Sequence, residues 1–292
     1  MNTGRYHLAG TGIQTAALAF GGDIPPSTGA TEEYNGATWT TVSSLATARI
    51  GLSGAGSQTA GLAFGGNSGS VTGATEEYNV YGEPNTFENV GQVWYNGTTK
   101  ALKYTNETFS SAWASGGNLG TARYVLAGAG TQTAGLAFGG DVSGPPYSVA
   151  TEEYDGSTWS PGGNLGSPRG ELGGCGIQTA ALAFGGRAPS LLLTNVTEEY
   201  DGSTWSPGGN LSTGRLLVAG AGTQTAGLAI GGNIPPGGNR QTATEEYNGT
   251  AWTAGGALTT ARYASGAAGI QTAALAFGGD ASGFPYSGAT EE

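Results

Sequence analysis

The stretch TQTAGLAFGG, residues 131–140, holds no charged residue and ends in a pair of glycines. Five nearly identical copies end at Gly22, Gly66, Gly186, Gly232 and Gly279. The second glycines of successive copies are 44, 74, 46, 46 and 47 residues apart. Self-similarity at such a period indicates a repeat architecture, in which each unit buries its apolar face against its neighbours. The sequence therefore predicts six units, the second of which carries an insertion.

Within each unit the apolar residues have the period of β-strands. In the third unit Leu136 and Phe138 alternate with the small residues Gly135 and Ala137, which predicts a strand that is covered on both faces. The preceding residues, 124–130, predict a companion strand. After the glycine pair, TEEY and a tryptophan strand flank an Asx-Gly pair, which is a strong signal for a tight hairpin. Each unit is thus predicted to be a four-stranded sheet, and the chain to be all-β.

A four-stranded unit with a glycine pair, a tyrosine and then a tryptophan resembles the kelch repeat, which forms the blades of β-propellers. In the third unit these residues are Gly139, Gly140, Tyr154 and Trp159. The equivalent sets are Gly21, Gly22, Tyr34 and Trp39; Gly65, Gly66, Tyr78 and Trp113; Gly185, Gly186, Tyr200 and Trp205; and Gly231, Gly232, Tyr247 and Trp252. The resemblance implies one six-bladed kelch-like β-propeller over residues 1–292, with blades at approximately 5–48, 49–122, 123–168, 169–214, 215–261 and 262–292.

The sixth unit stops at TEE, with Glu292, before a tyrosine and a tryptophan. The N-terminal residues MNTGR match the end of a unit and are too short to form a further strand. We therefore expect the last blade to lack its outer strand unless a longer parent chain or a partner completes it.

The long step between the second and third glycine pairs comes from an insertion at residues 80–112. Short alternating segments such as QVWYN and KALKY predict a small β-hairpin extension of the second blade. The insertion also holds both lysines, Lys100 and Lys103. Its pattern resembles short modules of phage tail and fibre proteins, and the near-identical TQTAGLAFGG arrays resemble those of marine phage and bacteria. This resemblance implies a virion protein.

Charge follows the repeat. Twelve of the 21 acidic residues form the six Glu pairs of TEE, and one arginine opens each unit, at Arg5, Arg49, Arg123, Arg169, Arg215 and Arg262. Since successive residues of a strand point to opposite faces, we expect one Glu of each pair to meet the arginine and the other to face solvent. The net charge of −11 argues against a nucleic-acid partner, which requires a basic surface.

Composition excludes several kinds of site. One cysteine, Cys175, allows no disulfide framework and no cysteine zinc site within the chain, and one histidine, His7, allows no copper site of the galactose oxidase type. We interpret both as structural residues, and we expect no metal, cofactor or catalytic residue. No signal peptide is visible at the start, and no stretch of about 18 apolar residues predicts a membrane insertion.

A glutamine recurs in the turn after the first strand of every unit. These residues are Gln14, Gln58, Gln132, Gln178, Gln224 and Gln271. A glutamine amide can satisfy backbone groups in a tight turn. The alternative is a six-fold ring of amides that binds an axial ligand.

The units differ most between the glycine pair and TEEY, so function is sought in these six loops. One interpretation is neutral drift in surface loops. The other is a recognition surface on one face of the propeller, where aromatic rings and polar groups suit a sugar. Its candidate aromatic platforms are Tyr147, Phe284 and Tyr286, and its candidate polar contacts are Arg187, Arg240, Asp23, Asp141 and Asp280.

Three classes of function remain. The first is a structural or binding propeller of a phage particle, such as a tail fibre, that contacts a host-surface glycan or another virion protein. The second is an adhesin or lectin at the bacterial surface or secreted. The third, a glycan-active enzyme, requires an unrepeated carboxylate pair in a pocket. The unrepeated Glu83, Glu88 and Glu107 lie in the insertion, so we rank the enzyme last.

Overall fold

The computed structural model describes residues 1–82, 93–96, 101–104, 109–143, 147–189, 192–236, 238–281 and 285–292. Over these residues the chain forms β-strands and no α-helix. The same residues accordingly contain no helix that is long and apolar enough to span a membrane. The strands form six antiparallel blades around a central channel. The prediction of an all-β, six-bladed propeller is confirmed.

In every complete blade the four strands follow in chain order from the channel outward. The first blade consists of β1 (Ala9–Ile13), β2 (Ala16–Phe20), β3 (Thr31–Tyr34) and β4 (Trp39–Val42). The second consists of β5 (Ser53–Gly56), β6 (Ala60–Phe64), β7 (Thr75–Gly82) and β10 (Phe109–Ser115), with the hairpin β8 (Val93–Asn96) and β9 (Ala101–Tyr104) inserted before β10.

The remaining blades repeat this order. The third consists of β11 (Ala127–Thr131), β12 (Ala134–Phe138), β13 (Thr151–Tyr154) and β14 (Trp159–Pro161), and the fourth of β15 (Gly173–Ile177), β16 (Ala180–Phe184), β17 (Thr197–Tyr200) and β18 (Trp205–Pro207). The fifth consists of β19 (Ala219–Thr223), β20 (Ala226–Ile230), β23 (Thr244–Tyr247) and β24 (Trp252–Ala254), with a short pair, β21 (Asn233–Ile234) and β22 (Asn239–Arg240), in its loop. The sixth consists of β25 (Gly266–Ile270), β26 (Ala273–Phe277) and β27 (Thr290–Glu291).

The sixth blade has three strands in the described part of the chain, as the sequence predicts. Residues 1–5 form no strand, although the Met1 amino group donates to the Gly288 carbonyl at 2.5 Å. The ring nevertheless closes, because β1 contacts both β5 and β25. Across this junction Tyr34 donates to the Glu292 carboxylate at 3.1 Å.

Blades pack through bulky residues on one face and small residues on the next. Phe138 and Leu136 of the third blade lie against Ala181 and Ala183 of the fourth. A Cβ atom built on Gly174 would lie 2.5 Å from the tip of the Phe138 ring, so only glycine allows this approach. Burial of each such phenylalanine contributes about 1.5–3 kcal/mol to stability. The bulky residues of one blade therefore fit onto the small residues of the next, and the strand is covered on both faces, as predicted.

The arginine of each unit is buried and bonds within its own blade. Arg123 donates to the carbonyls of Gly139 at 2.9 Å and Ala150 at 2.6 Å, and it forms an ion pair with Glu152 at 2.9 Å. The first Glu of every TEE pair makes this ion pair, as predicted. The charges of the repeat arginine and of the first Glu therefore have a structural role within each blade.

The expectation that the second Glu of each TEE pair faces solvent is wrong for most blades. Tyr200 of the fourth blade donates its hydroxyl to Glu153 of the third at 2.6 Å. The same bond joins Tyr78 to Glu33, Tyr154 to Glu77 and Tyr247 to Glu199. A tyrosine at a blade interface requires a partner for its hydroxyl, and the carboxylate of the neighbouring blade supplies it.

The tryptophan and the glutamine also join neighbouring blades. Trp205 donates its indole N–H to the Thr151 hydroxyl of the preceding blade at 2.9 Å. Gln178 donates its amide to the carbonyls of Gly135 at 3.0 Å and Tyr154 at 2.8 Å, also in the preceding blade. The glutamine therefore satisfies backbone groups, as the first interpretation holds, but those of the adjacent blade.

Candidate functional site at the mouth of the channel

The six variable loops lie on one face of the propeller, around one end of the central channel. In every unit, the first residue after the glycine pair forms a β-bridge with the residue that directly follows the repeat arginine. Examples are Asp23 with Tyr6 and Asp280 with Tyr263. These bridges bring the loops to the mouth of the channel, whose cavity measures about 250 Å³. We call this surface, which carries the residues 6, 23, 124, 141, 147, 187, 240, 263, 280 and 286, the loop face.

A closed ring of six backbone hydrogen bonds surrounds the mouth. Each residue donates its N–H to the carbonyl of its counterpart in the preceding blade, with N···O distances of 2.7–3.0 Å. The ring members are His7, Gly51, Val125, Glu171, Leu217 and Ala264. All six have left-handed backbones, with φ between 46° and 59°. Because five of them are not glycine, this conformation costs free energy that the closed ring must offset.

The side chains of this ring are all different, although the strands that follow them are nearly identical. The two ionisable members, His7 and Glu171, belong to the first and fourth blades and hence to opposite sides of the mouth. Burial lowers the pKa of His7 to about 4, and the nearby carboxylates of Asp23 and Asp280 only partly oppose this. Burial raises the pKa of Glu171, while Arg187, at 3.4 Å, acts in the opposite direction. The mouth is therefore a weakly hydrated polar site.

His7 is the only histidine, so its imidazole signal in a proton NMR titration is unambiguous. We expect the ring to stay neutral down to about pH 5 and to titrate with a midpoint near pH 4, since its pKa is lowered to about 4. An unfolded histidine has a pKa of about 6.5 and binds the proton more readily. The contribution of His7 to stability should therefore be lost as the pH falls from about 6.5 to about 4.

The variant His7→Asn serves as the control for this titration, because asparagine tolerates the left-handed backbone and carries no titrating group. Its unfolding free energy should fall less steeply over the same pH range. A His7 midpoint near 6.5, the value of a solvated imidazole, would contradict the burial of this residue at the channel mouth.

An aromatic stack lies beside His7. The rings of Tyr6 and Tyr286 have centroids 4.1 Å apart at 33°, and Tyr6 meets the His7 ring edge-on at 4.6 Å. Burial and the contact with Tyr286 raise the pKa of the Tyr6 hydroxyl. Tyr286, a candidate from the sequence, thus lies next to the mouth and is partly exposed. The stack offers a rigid apolar surface with polar tips.

Two further sequence candidates meet at the sixth blade. Arg240 pairs with Asp280 at 2.8 Å, and its guanidinium lies 5.7 Å from the centroid of the Tyr263 ring. Tyr263 donates its hydroxyl to Asp280 at 2.9 Å. Burial and this carboxylate raise the pKa of Tyr263 to about 12. The cluster holds Arg240 over the loop face, with 27% of its side chain exposed.

A second cluster lies on the opposite side of the mouth. Arg187 pairs with Glu171, and Asp141 accepts from the Tyr124 hydroxyl at 3.2 Å. Tyr147 is 8% exposed and lies over Gly170, where a Cβ atom would come within 2.9 Å of its ring. Tyr147 is therefore largely covered, and its role as an aromatic platform stays a prediction.

Two candidates from the sequence remain, Asp23 and Phe284. Asp23 lies on the loop face and forms the bridge with Tyr6, whereas Phe284 lies outside the described residues. The structure adds His7 and Glu171 to the site residues expected from the sequence. The signal for them is the second position after the repeat arginine, which holds a different residue in every unit. In the described part of the chain, no group of three or more His, Cys, Asp or Glu side chains is placed to hold a metal ion.

Comparisons with known proteins bear on the fold alone. No family model matches the sequence, and no curated protein is significantly similar to it. Among solved structures, 209 chains match. One is described as the structure of YjhT, and it is 14% identical with a TM-score of 0.69, over 99% of this chain and 94% of that chain. At this identity the likeness shows a shared β-propeller architecture over nearly the whole chain.

Proposed function

We propose that this chain is a kelch-type propeller with a non-enzymatic binding role on a phage particle, as part of a tail fibre or another receptor-facing protein. Its ligand is a host-surface glycan or another virion protein. The observation that carries the proposal is that repeated and unrepeated residues have different places in the fold. Repeated residues form the blades and their contacts, whereas, outside the insertion in the second blade, the residues that break the repeat gather on the loop face.

The chemistry of the loop face favours a carbohydrate. The Tyr6–Tyr286 stack supplies an apolar surface of the kind on which the C–H face of a sugar ring packs. Arg240, Arg187 and Asp23 surround the mouth with donors and acceptors for hydroxyl or carboxylate groups. A few polar groups that converge on an aromatic wall are typical of small-ligand sites.

The proposal of a non-enzymatic role rests on the partners that the carboxylates bind. The first Glu of each pair is bound to a buried arginine, and five of the second bind a tyrosine of the next blade, so these groups hold the fold together. On the loop face Asp280 and Glu171 are each paired with an arginine. An adhesin or lectin of a bacterial surface has the same requirements and is the second candidate.

Two measurements test the proposal. A glycan array probed with the purified chain should give saturable binding to a restricted set of surface glycans. Antibodies raised against the chain should label phage particles by immunoelectron microscopy. Labelling of the bacterial envelope instead of particles would favour the adhesin, and turnover of a bound glycan would overturn the non-enzymatic role.

A further inference from the structure

The mouth of the channel has polar side chains at two opposite points and apolar residues between them. The six members of the left-handed ring all line the channel cavity. His7 of the first blade lies opposite Glu171 of the fourth. The other two opposite pairs are apolar and consist of Gly51 with Leu217 and of Val125 with Ala264. A ligand that enters the mouth therefore meets one polar axis with apolar flanks.

The His7 side chain has its full hydrogen-bonding capacity left. The backbone of His7 belongs to the ring, since its N–H donates to the Ala264 carbonyl and its carbonyl accepts from Gly51, both at 3.0 Å. The imidazole makes no hydrogen bond within the described part of the chain and packs edge-on against Tyr6. Because burial lowers its pKa to about 4, the ring is neutral at physiological pH and offers one donor and one acceptor.

The Glu171 carboxylate also has accepting capacity left. Its Oε2 atom lies 3.4 Å from Arg187 Nε, and this contact is an ion pair without a hydrogen bond. None of the described residues donates a hydrogen bond to this carboxylate. The side chain is 17% exposed, so a hydroxyl group in the mouth can donate to it.

The charges around the mouth disfavour an anion. Six of the eight arginines are buried in the blades, and the other two, Arg187 and Arg240, lie on the loop face. Each of these two is already paired with a carboxylate, at 3.4 Å and 2.8 Å. The loop face and the mouth carry four carboxylates, those of Asp23, Asp141, Glu171 and Asp280. An anionic ligand must therefore break an existing ion pair, whereas a hydroxyl group need not.

The aromatic stack borders the polar axis. Tyr6 meets the His7 ring at 4.6 Å, and Tyr286, stacked on Tyr6 at 4.1 Å, is partly exposed. The channel cavity of about 250 Å³ is smaller than the roughly 300–1,000 Å³ that encloses a whole small ligand. The mouth therefore suits the end of a longer molecule, whose last ring packs against the stack.

We propose that the mouth is the subsite for an uncharged terminal hexose of the glycan, and that it rejects terminal sugars with a carboxylate, such as uronic and sialic acids. The inference rests on the glycan-binding role proposed above. The hexose packs on the Tyr6–Tyr286 stack, its hydroxyl groups donate to Glu171, and they exchange hydrogen bonds with His7. An acidic sugar would place a second carboxylate beside Glu171 at a weakly hydrated site, where like charges repel strongly.

The probe is an array of matched glycans. Each neutral glycan that ends in glucose or galactose is printed beside the same glycan with C6 of the terminal ring oxidised to a carboxylate. Since the two members of a pair differ at this group alone, the ratio of their affinities reports the charge preference of the mouth. We expect the neutral member to bind about tenfold or more tightly than the acidic one.

The variant Glu171→Gln tests which residue sets this preference. The amide keeps the shape of the side chain but releases Arg187, whose guanidinium can then bind a carboxylate. Neutral glycans should bind about tenfold less tightly, and most of the discrimination against acidic partners should be lost. Asp155→Asn is the matched control, because it also removes one negative charge. It lies in an exposed hairpin, at a position that holds Asn35 and Asn248 in other blades, and should change neither quantity.

The variant His7→Leu tests the other end of the axis. Leu217 occupies the same ring position with a φ of 51°, against 52° for His7, so leucine fits this backbone. Neutral glycans should bind about fivefold less tightly, since both hydrogen-bonding atoms are lost. Stronger binding of the acidic members, or neutral binding that neither variant weakens, would overturn the subsite and leave the loop face as a glycan site. No binding to any printed glycan would instead overturn the glycan role, and the subsite with it.

Discussion

Replacing Arg123 by Leu should lower the free energy of unfolding by about 3–5 kcal/mol, because it leaves a buried carboxylate without its partner. Arg123 is completely buried, and its guanidinium bonds Glu152 at 2.9 Å together with two backbone carbonyls. Equilibrium unfolding in urea measures the change. The variant Arg123→Lys should lie between the parent and Arg123→Leu, since an ammonium keeps the charge but cannot reach all three acceptors.

Arg187→Leu is the matched control for this experiment. Arg187 also pairs with a carboxylate, that of Glu171, but the two side chains are 25% and 17% exposed. Because Glu171 is itself partly buried, removal of Arg187 should cost more than loss of a surface pair but less than Arg123→Leu, about 1–2 kcal/mol. Equal losses for Arg123→Leu and Arg187→Leu would show that the repeat arginine does not act as a buried anchor of its blade.

Phe138→Ala should also lower the free energy of unfolding by about 3–5 kcal/mol, as deletions of buried aromatic side chains do. The ring is completely buried, and its centroid lies 4.9 Å from that of Trp205 in the next blade. Gly174, which faces the tip of the ring, has no side chain of its own to move into the resulting cavity. The same urea titration measures the effect.

The control for Phe138 is Ile177→Ala, which removes an apolar side chain that is 54% exposed. Its effect should stay within about 0.5 kcal/mol. If the two substitutions shift the midpoint equally, the assignment of the phenylalanine row to the blade interfaces is wrong.

The blades were predictable because the residues that form them recur from unit to unit. A glycine pair, a tyrosine and a tryptophan at one spacing predict four strands and their order, and the missing Tyr and Trp predict the open sixth blade. The ion pair of Arg123 with the first Glu followed from strand alternation. The bond of the second Glu to a tyrosine did not, because it crosses between blades and depends on their relative position.

The site was harder to predict, because side-chain exposure depends on the neighbouring unit. Tyr147 and Tyr286 occupy the same place in two similar loops. Tyr286 stacks on Tyr6, whereas Tyr147 lies over Gly170, which takes the place of that tyrosine in the next unit. The Tyr286 ring is therefore partly exposed on the loop face, whereas the Tyr147 ring is buried. The left-handed ring at the mouth likewise has no local sequence signature, since it is imposed by hydrogen bonds between blades.

Binding of the parent and of two pairs of variants to host cells and to a glycan array tests the central claim, that residues which break the repeat form the recognition surface. The loop-face pair is Tyr286→Ala and Arg240→Ala. The control pair is Ile13→Ala and Ile270→Ala. These residues end β1 and β25 at the opposite face and are 56% and 52% exposed. With melting temperatures matched, we predict that the loop-face variants lose binding by about tenfold or more and the control variants keep it. Retention of binding by both loop-face variants, with loss in the control pair, would contradict the account.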